Sequence, residues 1–209
     1  MNDVLWYLTR ASGIVAAVLI ATAVVSGFLF SGRETGTRRR PNWWLDLHNM
    51  LGGLALIFTL VHIGAALLDS DLGIGIADVL VPGIASLDRW PLAWGVIATY
   101  LVATAVLTSW PKRRFRRRTW RVVHLGSVLG FALVLVHTLQ LGTDASTVWL
   151  RTGLVFVVAV AAYALGVRVF GLVLQRPETN FPHRTTTPIS QRQSKSADQL
   201  VHRRHILFW

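Results

Sequence analysis

The 209-residue sequence predicts an all-α fold, an integral membrane helical bundle of about five transmembrane helices. Three observations predict it. Hydrophobic residues make up 53% of the chain and charged residues only 15%, where a soluble domain carries roughly a quarter. The charges are segregated, because residues 11–32, 47–68, 90–111 and 122–143 contain no Asp, Glu, Lys or Arg. Each of these runs is 22 residues long, close to the ~20 a helix needs to cross the hydrocarbon core. A fifth apolar stretch, 145–175, is interrupted only by Arg151 and Arg168.

Taken in order, the spans are expected over residues 4–30, 43–68, 90–110, 119–141 and 147–174. The first run is too long for the apolar region of a signal peptide and lacks an A-x-A-like cleavage site, so it is expected to stay. Residues 74–87 are apolar but short and contain Pro82, which suits a loop or interfacial segment better than a span. From Pro177 onward Thr, Ser, Gln, Pro, Arg and His dominate, a composition that favours disorder. Two parts follow: a membrane domain over residues 1–175 and a polar cytoplasmic tail over 176–209.

The formal net charge of +11 does not point to nucleic acid. The basic residues flank apolar spans, and no nucleic-acid-binding motif accompanies them. Arg33, Arg38, Arg39 and Arg40 oppose Glu34 in the first loop, and Lys112, Arg113, Arg114, Arg116, Arg117, Arg118 and Arg121 stand without an acid in the third. The second loop holds Asp69, Asp71, Asp78 and Asp88 against Arg89, and the fourth holds Asp144. Basic loops stay in the cytoplasm. The expected topology in the cell membrane therefore puts the N-terminus outside and the tail inside. The chain has no cysteine, which excludes disulfides, thiolate iron–sulfur clusters and covalent haem attachment through C-x-x-C-H.

Of seven histidines, His183, His202 and His205 lie in the polar tail. The other four lie within spans, His48 and His62 on the second and His124 and His137 on the fourth. An ionisable residue inside a membrane span is a functional hypothesis by default. Both helices enter from the cytoplasmic side, and each meets its first histidine about five residues in. At ~1.5 Å per residue, His62 lies ~21 Å beyond His48 and His137 ~20 Å beyond His124. Two helices thus present imidazoles at two matched depths. A neutral imidazole is a good axial ligand for haem iron, and two per iron suit electron transfer because no open coordination position remains. One detail strains this arrangement: a spacing of 14 returns to within ~40° of the same helix face, whereas 13 falls ~140° away. The fourth span must bend or carry a bulge, or the two haems must be rotated relative to each other. The competing expectation is a membrane protein without haem, whose histidines bind a divalent metal or only pack the bundle. Zinc or copper transport usually brings acidic, Cys or Met ligands, and Met50 is the only Met besides Met1.

Histidine pairs spaced His-x13-His and His-x12-His on two spans resemble the ferric reductase-like transmembrane domain. That superfamily includes NADPH oxidases, ferric reductases and the membrane subunit of bacterial methionine-sulfoxide reductase systems. The segments Leu5-Trp6-Tyr7-Leu8-Thr9-Arg10-Ala11-Ser12-Gly13, Ala77-Asp78-Val79-Leu80-Val81-Pro82 and Trp120-Arg121-Val122-Val123-His124-Leu125 are similar to bacterial members. The likeness covers roughly residues 4–174. It implies two b-type haems, the inner held by His48 and His124 and the outer by His62 and His137. The oxidases continue into a flavin- and nicotinamide-binding domain, whereas about thirty-five polar residues follow the last span here. Gly73-Ile74-Gly75 is not a G-x-G-x-x-G fingerprint.

The resulting expectation is transmembrane electron transfer through two bis-histidine haems, as an oxidoreductase component. A separate cytoplasmic flavoprotein reductase, or a quinol, would supply electrons, and an acceptor at the outer face would take them. Arg40 and Arg121 are candidates to meet inner propionates, and Arg10, Arg89 or Arg151 outer ones. The alternative for each arginine is that it only marks orientation. Gly52, Gly53, Gly126 and Gly130 are candidates to make room for a macrocycle, while Gly126-x3-Gly130 reads equally as a helix-packing motif.

Overall fold

In a computed structural model, residues 3–31, 42–109, 116–142 and 146–174 are described. Their elements are α1 (Asp3–Ser31), α2 (Asn42–Leu68), a 3-10 turn (Ser70–Leu72), α3 (Ile76–Leu80), α4 (Arg89–Ser109), α5 (Arg117–Leu141) and α6 (Val148–Leu174). No strand occurs among the described residues. Five helices, α1, α2, α4, α5 and α6, are long and apolar enough to cross a membrane, the make-up of a multi-pass membrane protein. Helices suit that setting because each backbone N–H and C=O finds its partner within the same segment. The chain divides into the units Met1–Leu174 and Gln175–Trp209. The second lies outside the described residues, and with it the expected disordered tail.

The bundle is built from two hairpins, α1 packed on α2 and α4 packed on α5, with α6 laid against α1. Ile20, Val24 and Phe28 of α1 meet Ala55 of α2, Val102 of α4, Phe131 of α5 and Ala161 and Ala164 of α6 at its centre. Small residues dominate the closest approaches. Ala55, Ala98 and Ala164 are each only 1% exposed, and such residues let helix backbones come together where lipid offers no hydrophobic drive for association. Large apolar side chains face outward instead, among them Leu60 on α2 and Phe156, Tyr163 and Phe170 on α6. On a soluble protein that surface would be an aggregation hazard, whereas lipid tails solvate it.

The segment between the hairpins is short and closely tied. Asp69 caps the 3-10 turn by accepting from the Asp71 N–H at 3.2 Å, and Gly73 ends it with φ 60°. Asp78 of α3 accepts from the Gly75 N–H at 2.9 Å. The Tyr100 hydroxyl, well inside α4, donates to the Leu80 carbonyl at the end of α3. Apolar residues 74–87 therefore form a non-spanning segment folded against α4.

Candidate functional site

The structure brings the four span histidines together in two pairs. The His48 and His124 ring centres are 5.8 Å apart, with planes inclined at 64°. Those of His62 and His137 are 6.3 Å apart and inclined at 88°. These are the pairs that matched depth predicts. Among the described residues, α2 and α5 do not pack closely along their backbones, so the paired rings reach across a gap between the hairpins. α5 stays an unbroken α-helix from Arg117 to Leu141, so no bulge resets its 13-residue spacing. Instead both of its histidines lean on α4, His124 near the C-terminal end and His137 near the N-terminal end.

Each ring of the outer pair is held from behind by the first helix of its own hairpin. His62 Nδ1 lies 2.8 Å from the Thr9 carbonyl oxygen on α1, and His137 Nδ1 lies 2.9 Å from the Pro91 carbonyl oxygen on α4. A carbonyl can only accept, so the ring proton of each neutral histidine sits on Nδ1 and the Nε2 lone pair is left for bonding. Four residues beyond each carbonyl stands a glycine. A Cβ on Gly13 would come within 2.9 Å of His62 Nδ1, and one on Gly95 within 2.7 Å of His137 Nδ1. Real Cβ contacts do not occur at those distances. The missing side chain is what lets each imidazole reach the helix backbone.

The inner pair is held by hydroxyls. His48 Nδ1 lies 3.1 Å from Ser26 Oγ, and His124 Nδ1 lies 3.4 Å from Ser109 Oγ. Ser26 Oγ also lies 2.8 Å from Ala23 O, and Ser109 Oγ 2.7 Å from Ala105 O. As a hydroxyl hydrogen can turn toward either neighbour, these contacts hold the inner rings without fixing which nitrogen carries the proton. The contact at 3.4 Å is the weakest of the four. Trp120 stacks on His124 with centres 4.9 Å apart and planes at 19°. Trp44 donates from Nε1 to Ser26 O at 3.3 Å.

A cavity of about 290 Å³ surrounds the outer pair. Leu72, Ile74 and Val79 of the connecting segment form part of its wall. Its polar lining besides the histidines is sparse. Thr59 and Thr99 return their hydroxyl hydrogens to Ala55 O and Gly95 O within their own helices, at 2.8 and 2.9 Å. Thr9 Oγ1 is buried and finds no hydrogen-bond partner among the described residues. Arg10 also lines the cavity, its guanidinium lying over the Trp6 ring at 4.9 Å.

The other predicted residues divide as follows. Arg121 is exposed in the second turn of α5, one turn before His124, and Arg40 lies outside the described residues. Arg89 and Arg151 are exposed, with Arg89 over the Trp90 ring at 5.6 Å. A Cβ on Gly130 would meet Leu101 Cβ and Val102 Cγ2 at 3.2 Å, and one on Gly126 would meet Leu101 Cδ2 at 3.5 Å. These two glycines let α5 approach α4, which is the packing role. A Cβ on Gly52 would meet Val106 Cγ2 of α4 at 3.5 Å, and one on Gly53 would meet nothing within 4 Å. Among the described residues, no group of three or more His, Cys, Asp or Glu converges as for a metal ion.

Sequence reasoning passed over Thr9, Gly13, Pro91 and Gly95, and over Ser26 and Ser109. A signal for them exists. Gly13 and Gly27 repeat on α1 the 14-residue spacing of His48 and His62 on α2, and Gly95 and Ser109 repeat it on α4. In an antiparallel hairpin, matched spacings, 14 against 14 in the first and 14 against 13 in the second, put small or hydroxyl residues opposite both histidines.

No curated protein and no solved structure matches the chain. A family model, described as a domain of unknown function (DUF8596), matches residues 4–144, which takes in all four span histidines and both hairpins. The chain belongs to that family.

Proposed function

We propose that this chain is a membrane electron conduit that holds two b-type haems, one between His48 and His124 and one between His62 and His137. The observation that carries the proposal is the outer pair. Both rings are fixed as Nδ1–H tautomers, and their centres stand 6.3 Å apart beside a cavity. With a metal–nitrogen bond of about 2.0 Å and a ring centre about 1.15 Å beyond the nitrogen, two imidazoles on opposite sides of one metal stand about 6.3 Å apart. An edge-to-face aromatic pair also falls in this range, so the distance alone is not the argument. The tautomer adds what the distance lacks. Neither neutral ring has an Nε2–H to give the other, so between them belongs an acceptor of lone pairs.

The residues fit a haem in three further respects. The glycine steps on α1 and α4 leave the imidazoles room to stand upright. The cavity wall is mainly apolar, as a macrocycle needs. Arg10 gives the cavity one cation, suited to a propionate. Haem iron would supply one-electron chemistry at each level. The chain's own part would be to supply two imidazole nitrogens at each level and, at the outer level, to fix ring orientation through Nδ1. Two nitrogens per level suit this better than a zinc or copper ion, which asks for three or four protein ligands.

The loop charges support a topology with the N-terminus outside, the His48/His124 level near the cytoplasm and the His62/His137 level near the outer face. Electrons would enter from a cytoplasmic flavoprotein, with a quinol as the other donor class, and leave from the outer level. The likeness to the ferric reductase-like transmembrane domain supports the same direction. Purified chain from haem-replete cells should show a low-spin b-type spectrum and about two haems per chain by pyridine haemochrome assay. A haem-free preparation would defeat the proposal.

A further inference from the structure

We infer that Gly13 with the Thr9 carbonyl, and Gly95 with the Pro91 carbonyl, are paired positioning elements that set the tautomer and orientation of His62 and His137. The two hairpins repeat one device. In α1 the acceptor carbonyl belongs to residue 9 and the glycine is residue 13, and in α4 they are residues 91 and 95. In an α-helix the carbonyl at position i already accepts the N–H at i+4, so each acceptor oxygen serves both its own helix and the facing imidazole. A side chain at i+4 projects back toward position i. It would stand over that oxygen, which explains why both helices carry glycine there. The imidazole occupies the volume the side chain would fill, at 2.9 and 2.7 Å from the virtual Cβ positions.

The inner level lacks this construction. A Cβ on Gly27 would meet His48 Cε1 at 3.3 Å, a contact a small shift relieves, and its partners are serine hydroxyls, which can give or accept. The outer histidines are thus the more rigidly specified pair. A carbonyl acceptor on Nδ1–H raises the basicity of the imidazole as a ligand and fixes its ring plane. Its functional meaning rests on the proposed haem ligation, but the tautomer itself is a property of the protein.

The test uses the full chain labelled with ¹⁵N-histidine, in bilayers, with and without haem. In the unsubstituted chain His62 and His137 should both show protonated Nδ1. Gly13→Ala should abolish that pattern for His62 alone, and Gly95→Ala for His137 alone. Thr9→Val, which keeps the carbonyl and loses the hydroxyl, should leave His62 unchanged. In haem-loaded protein each glycine variant should weaken outer-haem binding about 10–100-fold and raise its midpoint potential. The inner-haem signal should stay unchanged and thereby report an intact bundle. Gly153→Ala, with nothing within 4 Å of its Cβ, should change none of these. Protonated Nε2 on His62 or His137 in the unsubstituted chain would overturn the inference even if neither glycine variant folds. So would glycine variants with unaltered tautomers and potentials. Tautomers that shift as expected in a chain that binds no haem would uphold the positioning and defeat the haem proposal alone.

Discussion

Replacing His62 by alanine should remove one haem and leave the other. The magnitude follows from the cavity wall. Besides its two histidines the outer cavity is lined by threonine hydroxyls, the Arg10 guanidinium, the Trp6 indole and aliphatic side chains. None is a haem ligand that could replace the lost nitrogen. The pyridine haemochrome value should fall from about two haems per chain to about one, and the remaining haem should keep its bis-histidine spectrum. His137→Ala should give the same spectrum. Since both substitutions act on one site, the His62→Ala/His137→Ala double variant should lose no more haem than either single one, a strongly non-additive result. His62→Ala combined with His124→Ala should instead lose both. Optical and EPR spectra of these four proteins and of His124→Ala decide the matter. If His62→Ala and His124→Ala singly removed the same haem, the pairing argued from ring geometry would be wrong.

Three other outcomes follow. The sequence has no dinucleotide fingerprint, so NADPH added to this chain in oriented vesicles should leave the haems oxidised, and a cytoplasmic-side flavoprotein reductase should reduce them; fast reduction by NADPH alone would reveal a nucleotide site. Because the chain has no native cysteine, Ser70→Cys and Ser146→Cys should react with a membrane-impermeant thiol reagent on intact cells, and labelling only after the cells are opened would invert the topology. Gly130→Val should lower stability by about 1–3 kcal/mol, because even its Cβ would meet Leu101 and Val102 at 3.2 Å, and thermal unfolding in detergent beside Gly153→Ala measures the difference.

The fold was largely legible because lipid imposes a severe condition on sequence. An expected span over residues 43–68 becomes α2 (Asn42–Leu68), and one over 119–141 becomes α5 (Arg117–Leu141). Helix ends shifted by one or two residues, as terminal turns do. The histidine pairs were legible because depth in a bilayer is nearly linear in residue number. What supports them was not. Thr9 and Pro91 act through their carbonyls, a group that every residue carries. Gly13 and Gly95 are glycines in membrane helices, where glycine is common. Gly126 and Gly130 could be read two ways until Leu101 was found against them. Of the ways to meet the ~140° offset between His124 and His137, a bulge is not the one used, since α5 is unbroken and both rings lean on α4.

The division into hairpins bears on how the molecule is made. α1 closes on α2, and α4 on α5, through contacts between neighbouring parts of the chain. Such local contacts form early and quickly. As the chain emerges from the ribosome, the first hairpin can be complete in the bilayer before α4 has been synthesised. Each hairpin already carries two oriented imidazoles and the backbone or hydroxyl partners that hold them. Assembly then leaves two later steps, the meeting of the two hairpins across the paired histidines and the docking of α6 against α1. That seam stays open until the second hairpin arrives, so a haem, if the proposal holds, would have to enter before the two halves close.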